Sequence, residues 1–174
     1  MLWNAKMRFG KTLSTLQVAK EMNFAKTIII THRPVVSNGW YDDFKKIFFD
    51  KPEYSFGSKI FGEESIAKLI ESKRPFVYFA SIQDLRGSKR VGGTFNKNNA
   101  VFDMDWDLII IDEAHEGTQT FLGDNVIKAI RKDKTKVLAL SGTPFNILDQ
   151  YDENAVYTWD YVMEQKRKAE WDTL

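Results

Sequence analysis

The octapeptide Ala5-Lys6-Met7-Arg8-Phe9-Gly10-Lys11-Thr12 constrains this chain more than any other stretch, because it fits the pattern A/G-x-x-x-x-G-K-[ST]. A tight turn at Gly10 lets successive backbone N–H groups converge on a phosphate, and Lys11 adds a positive charge. Thr12, at the first turn of a helix, brings a hydroxyl within reach of a magnesium ion. Ala5, Arg8, Phe9, Gly10, Lys11, Thr12 and Leu13 are therefore the candidate nucleotide-binding residues. The flanks supply strand, loop and helix in the order the motif requires. Met1-Leu2-Trp3-Asn4 reads as the end of a strand, and Leu13, Leu16, Ala19 and Met22 recur at three-residue spacing. Arg8, between bulky Met7 and Phe9, stands where many such loops carry a second glycine, which predicts a stiffer loop.

A chain of 174 residues with 43% hydrophobic and 14% aromatic content can fill one core and is too short for two ordinary domains. The absence of cysteine excludes disulfides, thiolate catalysis and cysteine-based zinc sites, and suits a reducing compartment. No apolar run reaches the length of a membrane span, and no charged-then-apolar leader precedes the phosphate loop. A cytoplasmic protein without a membrane partner is expected. The net charge of +1 hides an asymmetry: residues 1–100 carry 17 Lys/Arg against 9 Asp/Glu, and residues 101–174 carry 8 against 15. A basic half beside an acidic half gives a directional surface, with the basic half suited to a polyanion or simply presenting solvated helix faces.

Along the chain, Thr27-Ile28-Ile29-Ile30-Thr31 reads as a buried strand that stops at His32-Arg33-Pro34. Ser37 is the expected N-cap of a second helix whose Trp40, Phe44, Ile47 and Phe48 form an apolar face, read as core. Residues 50–62 read as a loop with or without a short strand in it, and Glu63-Glu64 as the start of a helix carrying Ile66, Leu69 and Ile70. Phe76–Ala80 is the next strand, with Ser81-Ile82-Gln83-Asp84-Leu85-Arg86 leaving its end, and residues 87–100 read as a mobile basic loop. Leu108–Ile111 runs into Asp112-Glu113-Ala114-His115. Gly123 and Asp124 precede a helix lined by Val126, Ile127 and Ile130, and Lys136–Leu140 ends at Ser141-Gly142-Thr143-Pro144. Strands alternating with helices predict an α/β fold with a mainly parallel sheet covered on both faces. In such sheets ligands sit beyond the carboxyl ends of the strands, where every polar cluster named so far falls.

Asp112 and Glu113 leave a strand end together, which suits a magnesium–phosphate site. One carboxylate holds the metal and the other orients or deprotonates a water. The ordered set A-x-x-x-x-G-K-T, T-H-R-P, S-I-Q-D-L-R, D-E-A-H and S-G-T-P-F resembles the first RecA-like motor domain of a superfamily 2 helicase or translocase. It is closest to the motor parts of restriction enzymes and to Swi/Snf-type translocases. The resemblance implies ATP and Mg2+ as cofactors and an ATP hydrolase acting on nucleic acid, DNA before RNA. It implies Lys11 and Thr12 at the phosphates and magnesium, Asp112 at the magnesium, and Glu113 at the hydrolytic water. His115, Ser141, Gly142 and Thr143 would couple hydrolysis to grip, while His32, Arg33, Pro34, Ser81, Gln83 and Arg86 would meet the nucleic-acid backbone. Residues 1–148 would form the motor domain, and 149–174 a packed connector toward a second RecA-like domain that 174 residues have no room for. That second domain supplies the arginine finger in the family, and part of the adenine pocket lies upstream of the phosphate loop. The chain is thus expected to be a fragment with weak nucleotide binding and little turnover of its own.

The alternatives are a nucleotide-dependent switch or kinase, which has no need of S-G-T-P, T-H-R-P or Q-D-L-R, and a binding module with a decayed site, which Arg8 alone favours. A nuclease would have to use Glu164 and Lys166, which lack a strand context.

Overall fold

Runs of β-branched residues become strands here because their alternate side chains find a layer of helix on either face. The computed structural model describes residues 1–5, 10–32, 36–59, 65–114, 121–142, 148–159 and 161–171, without the side chains of 121–123, 161, 164 and 171. In chain order the elements are β1 (Leu2–Ala5), α1 (Lys11–Glu21), β2 (Lys26–Thr31), α2 (Ser37–Ile47), β3 (Ser55–Ser58), α3 (Ile66–Ser72) and β4 (Phe76–Ser81). They continue with α4 (Ile82–Arg86), α5 (Asn99–Asp103), β5 (Leu108–Asp112), α6 (Phe121–Ile130), β6 (Lys136–Ser141), β7 (Val156–Trp159) and α7 (Tyr161–Trp171). The strands form one sheet in the order β3-β4-β2-β5-β6-β1-β7, with every pairing parallel.

Alternation along the strands divides the core in two. Ile28, Ile30, Ile109 and Ile111 face Leu69 of α3, Ile82 and Leu85 of α4, Phe102 of α5, and Val126 and Ile130 of α6. Ile29, Ile110, Leu138 and Leu140 face Leu16 and Ala19 of α1 and Trp40 and Phe44 of α2. The α/β fold with helices on both faces is as the alternation of elements predicts. The apolar stripe of α2 is core as expected, with Trp40, Phe44 and Phe48 at 7% exposure or less.

Several expectations need correcting. Met22 lies past the end of α1 and is exposed, while Thr15 takes the buried place beside Leu16 and Ala19. Val36, not Ser37, is the N-cap of α2; Ser37 sits inside the first turn with its hydroxyl buried. Helix α3 begins at Ile66 behind Ser65, whose hydroxyl accepts from the Lys68 N–H at 3.4 Å, and Glu63 and Glu64 lie outside the described residues. Gly123 and Asp124 fall within α6 rather than before it. The short strand that 50–62 left open is β3, and the packed segment after residue 149 takes the form of β7, which pairs with β1, followed by α7.

Residues 87–98 are not the mobile loop that their glycines and lysines suggest. A 3-10 turn at Lys89–Val91 and a bridge between Ser88 and Phe95 fold the segment back on itself. Asn98 donates to the Asp84 carbonyl at 3.1 Å and to the Ser88 hydroxyl at 3.0 Å, and Lys97 pairs with the Asp84 carboxylate at 2.7 Å. Lys59, from the end of β3, bonds both Asp84 and Asn98. The middle of the segment packs against its start at Gly93, where a Cβ would stand 2.3 Å from the Gly87 carbonyl carbon and 2.4 Å from its oxygen. Those atoms are backbone and cannot step aside cheaply. Gly93→Ala is expected to destabilise the domain by about 1–3 kcal/mol, the usual cost of an overpacked site. A urea midpoint unchanged from wild type would contradict that packing.

Candidate functional site

Parallel register brings the strand exits into line. Ser81 of β4, Thr31 of β2 and Asp112 of β5 are successive partners across three neighbouring strands, and Ser141 of β6 partners Asn4 of β1. The candidate residues from five separate stretches thus reach one edge of the sheet, where the N-termini of α1 and α2 also begin.

Gly10 caps α1 in the left-handed region at φ 81°, a conformation that glycine adopts without a side-chain clash. No atom of the described residues beyond its chain neighbours lies within 4 Å of where its Cβ would stand. Lys11 follows at the helix start. Its ammonium is 3.6 Å from Glu113 Oε1, with the two side chains 11% and 24% exposed. That separation is an ion pair but too long for a hydrogen bond, and the buried Lys11 Nζ has no hydrogen-bond partner among the described residues. An ammonium carries three donors, and leaving them unmet out of water is costly.

Asp112 is 8% exposed at the end of β5. Its Oδ2 accepts from the buried Trp40 indole N–H at 3.1 Å. Burial pushes its pKa up; the Trp40 hydrogen bond opposes that rise, the Glu113 charge adds to it, and Lys11 and the Glu113 backbone N–H pull it down. Desolvating a carboxylate costs several kcal/mol and a hydrogen bond to a charged group returns about 1.5–3 kcal/mol, so the upward direction is the one expected. Asp112 is thus a carboxylate held where water solvates it poorly and a cation would be welcome.

Thr12 Oγ1 donates to Asp43 Oδ2 of α2 at 2.5 Å. Asp43 has no counterpart among the candidates, and Trp40 was expected only as core. The signal for Trp40 was present, since a buried indole N–H normally needs an acceptor. Asp43 carried none: beside Asp42 on a polar helix face it is indistinguishable from surface charge until α1 is packed against α2.

Of the remaining candidates, Ala5 ends β1 at 1% exposure, and Leu13 is half-buried in α1. Gln83 donates to the His32 carbonyl at 2.7 Å, which joins two of the candidate nucleic-acid clusters across the β2 and β4 exits. The Ser81 hydroxyl caps α4 by accepting from the Asp84 N–H at 3.1 Å. Arg86 is half-buried at the end of α4, and Ser141 is fully buried with Gly142 just beyond it. Arg8, Phe9, Arg33, Pro34, His115 and Thr143 lie outside the described residues.

No group of three or more His, Cys, Asp or Glu with metal-holding geometry occurs among the described residues. The donor set fits a magnesium ion all the same, because that ion keeps most of its waters and needs only one or two protein oxygens beside substrate phosphates. The Lys11 ammonium, without a hydrogen-bond partner among the described residues, and the left-handed Gly10 at the start of α1 fit a polyphosphate.

Glu113 occupies the left-handed region at φ 51°, which a residue with a Cβ enters at a cost of about 1–2 kcal/mol. Glu113→Gly and Glu113→Ala both delete the carboxylate, but only the first relieves the backbone. Glu113→Gly is expected to be the more stable of the two by about 1 kcal/mol, the reverse of the ordinary order. Equal or inverted thermal midpoints would show that the backbone there is unstrained.

Comparison with known proteins places this geometry. The family described as "Type III restriction enzyme, res subunit" matches residues 9–146. A Mycoplasma pneumoniae protein provisionally named as a type II restriction enzyme and methyltransferase, RM.MpnORF110P C-terminus, is 27% identical over 97% of this chain; the chain spans 29% of that protein's length. Among solved structures, the Sulfolobus solfataricus SWI2/SNF2 ATPase core in complex with dsDNA aligns with a TM-score of 0.60 at 22% identity, covering 86% of this chain and 29% of the other. The UvsW helicase from bacteriophage T4 aligns with a TM-score of 0.60 at 13% identity, covering 91% and 54%. The Pyrococcus furiosus Hef helicase domain aligns with a TM-score of 0.62 at 16% identity, covering 91% and 34%. These three share the fold. With the family match spanning most of its length, the chain belongs to the type III restriction enzyme res subunit family, and it has the fold of the three ATPase and helicase structures.

Proposed function

We propose that this domain binds Mg-ATP at the exits of β1 and β5 and engages nucleic-acid backbone at the exits of β2 and β4, as part of the DNA-translocating motor of a restriction-modification enzyme. The observation that carries the reading is the Lys11 ammonium, buried, without a hydrogen-bond partner among the described residues, and facing Glu113 across 3.6 Å. A phosphate oxygen there would satisfy donors that the described residues leave unmet.

In this reading Gly10 and the preceding backbone cradle the phosphates, and Lys11 neutralises them. Thr12 and Asp112 hold the magnesium, which when bound draws charge from the transferring phosphoryl group. Glu113 sits beside Lys11 where it can orient a water and take its proton, and its backbone conformation points to a position kept for function rather than for stability. Ser141 and Gly142 stand at the exit of β6, and together with His115 and Thr143 they would sense the nucleotide. His32 and Gln83, already joined by a hydrogen bond, would meet the phosphodiester backbone together with Arg33, Pro34, Ser81 and Arg86. No helix among the described residues is long and apolar enough to cross a membrane. A cytoplasmic location is our reading of the cysteine-free sequence.

Titration with a fluorescent ATP analogue tests the nucleotide site. Wild type is expected to bind in a magnesium-dependent manner, and Lys11→Ala to weaken that binding tenfold or more, about 1.4 kcal/mol or above. Indistinguishable isotherms would refute the proposal. The DNA assignment is read from salt: affinity for duplex or single-stranded DNA should fall steeply as ionic strength rises, and Arg33→Ala with Arg86→Ala should flatten that slope by about one to two units. Binding indifferent to salt, or an unaltered slope in the double variant, would remove these residues from the interface.

A further inference from the structure

We propose that α2 acts as the positioning element of the magnesium site, with Trp40 holding Asp112 and Asp43 holding Thr12 in the attitudes that ligation requires. The inference rests on the Mg-ATP reading above and extends it to residues outside the recognised motifs. Trp40 and Asp43 stand three residues apart on α2, so one helix face presents both. They reach groups from two different stretches of chain: Asp112 at the exit of β5, and Thr12 at the start of α1.

Each contact leaves a metal ligand with the lone pairs it needs. The carboxylate of Asp112 offers about four acceptor sites. The Trp40 indole and the Glu113 backbone N–H engage two, which fixes the plane of the group while leaving acceptors for a hydrated cation. Thr12 has a single hydroxyl proton, and Asp43 Oδ2 takes it at 2.5 Å. A hydroxyl whose proton is committed on one side turns its lone pairs to the other, which is the orientation a cation can use. Asp43 is itself steadied, because its second oxygen accepts from Lys46 at 3.2 Å and its side chain is only 16% exposed. Oxygen and nitrogen atoms one step behind a metal's ligands commonly control affinity by tenfold or more.

A purely structural role would tie α1 to α2 and fill the core without favouring the metal, so the test separates the two. The whole chain is titrated with the fluorescent ATP analogue in EDTA and then across a magnesium series. Asp43→Ala and Trp40→Phe, the latter keeping the ring bulk and losing the N–H, are expected to bind metal-free nucleotide within about twofold of wild type. Their magnesium midpoints should rise about tenfold. In a Thr12→Ala background, Asp43→Ala should add less than about twofold, because its effect runs through the missing hydroxyl. Trp40→Phe should still add its full effect there. Should Trp40→Phe fail to fold, the Asp43 and Thr12 cycle decides alone. The proposal is overturned by an unshifted midpoint in folded Asp43→Ala, by equal losses with and without magnesium, or by full additivity with Thr12→Ala. Wild type that responds to magnesium and to Lys11→Ala while Asp43→Ala behaves normally sinks this inference and leaves the nucleotide site standing. Wild type with no magnesium response removes both.

Discussion

A sheet whose strands all run the same way must return every connection across one of its faces, and this gathers all the strand exits along a single edge. The site depends on that constraint. Residues as remote in sequence as Gly10 and Ser141 share an edge because β1, β2, β4, β5 and β6 are parallel and paired through continuous registers. The central strands β2 and β5 carry buried apolar runs, with Ile28 to Ile30 and Ile109 to Ile110 at 1% exposure or less. Each such side chain contributes about 1.5–3 kcal/mol when buried, so the central strands hold their position by a margin that a costly terminal group cannot overturn.

That margin matters because the edge is built from groups that are unfavourable where they stand. Asp112 is a desolvated carboxylate, Lys11 a buried ammonium without a hydrogen-bond acceptor among the described residues, and Glu113 a side-chain-bearing residue in left-handed backbone. Three such features at two adjacent residues and the lysine paired with one of them are poor choices for a fold selected on stability alone. They are sensible if the missing interactions come from a polyanion and its cation. Helix α2 completes the arrangement from behind, its indole and carboxylate facing the edge while its apolar stripe belongs to the core.

Much of this was legible in sequence because the informative patterns are local. The run Leu-Ile-Ile-Ile followed by Asp-Glu announces a buried strand and its polar exit within six residues, and Gly10-Lys11-Thr12 announces a turn and a helix start. Where legibility failed, the deciding contact came from elsewhere in the chain. Ser55-Phe56-Gly57-Ser58 has weak strand propensity, so the sequence left loop and short strand both open there until its pairing with β4 decided it. Residues 87–98 look mobile by composition, yet Lys59 from β3 and the close backbone contact between Gly87 and Gly93 fold them down. Asp43 reads as solvated charge and becomes a partner of Thr12 only when two helices pack.

The pairing of Ser81, Thr31 and Asp112 across neighbouring strands carries a consequence for how such a site changes over time. Side chains alternate between sheet faces, so sliding β5 by a single residue against β2 would turn Asp112 to the opposite layer rather than nudge it along. Geometry at this edge is therefore quantised: insertions within a strand abolish the arrangement outright, and gradual adjustment is left to the turns and helix starts beyond it.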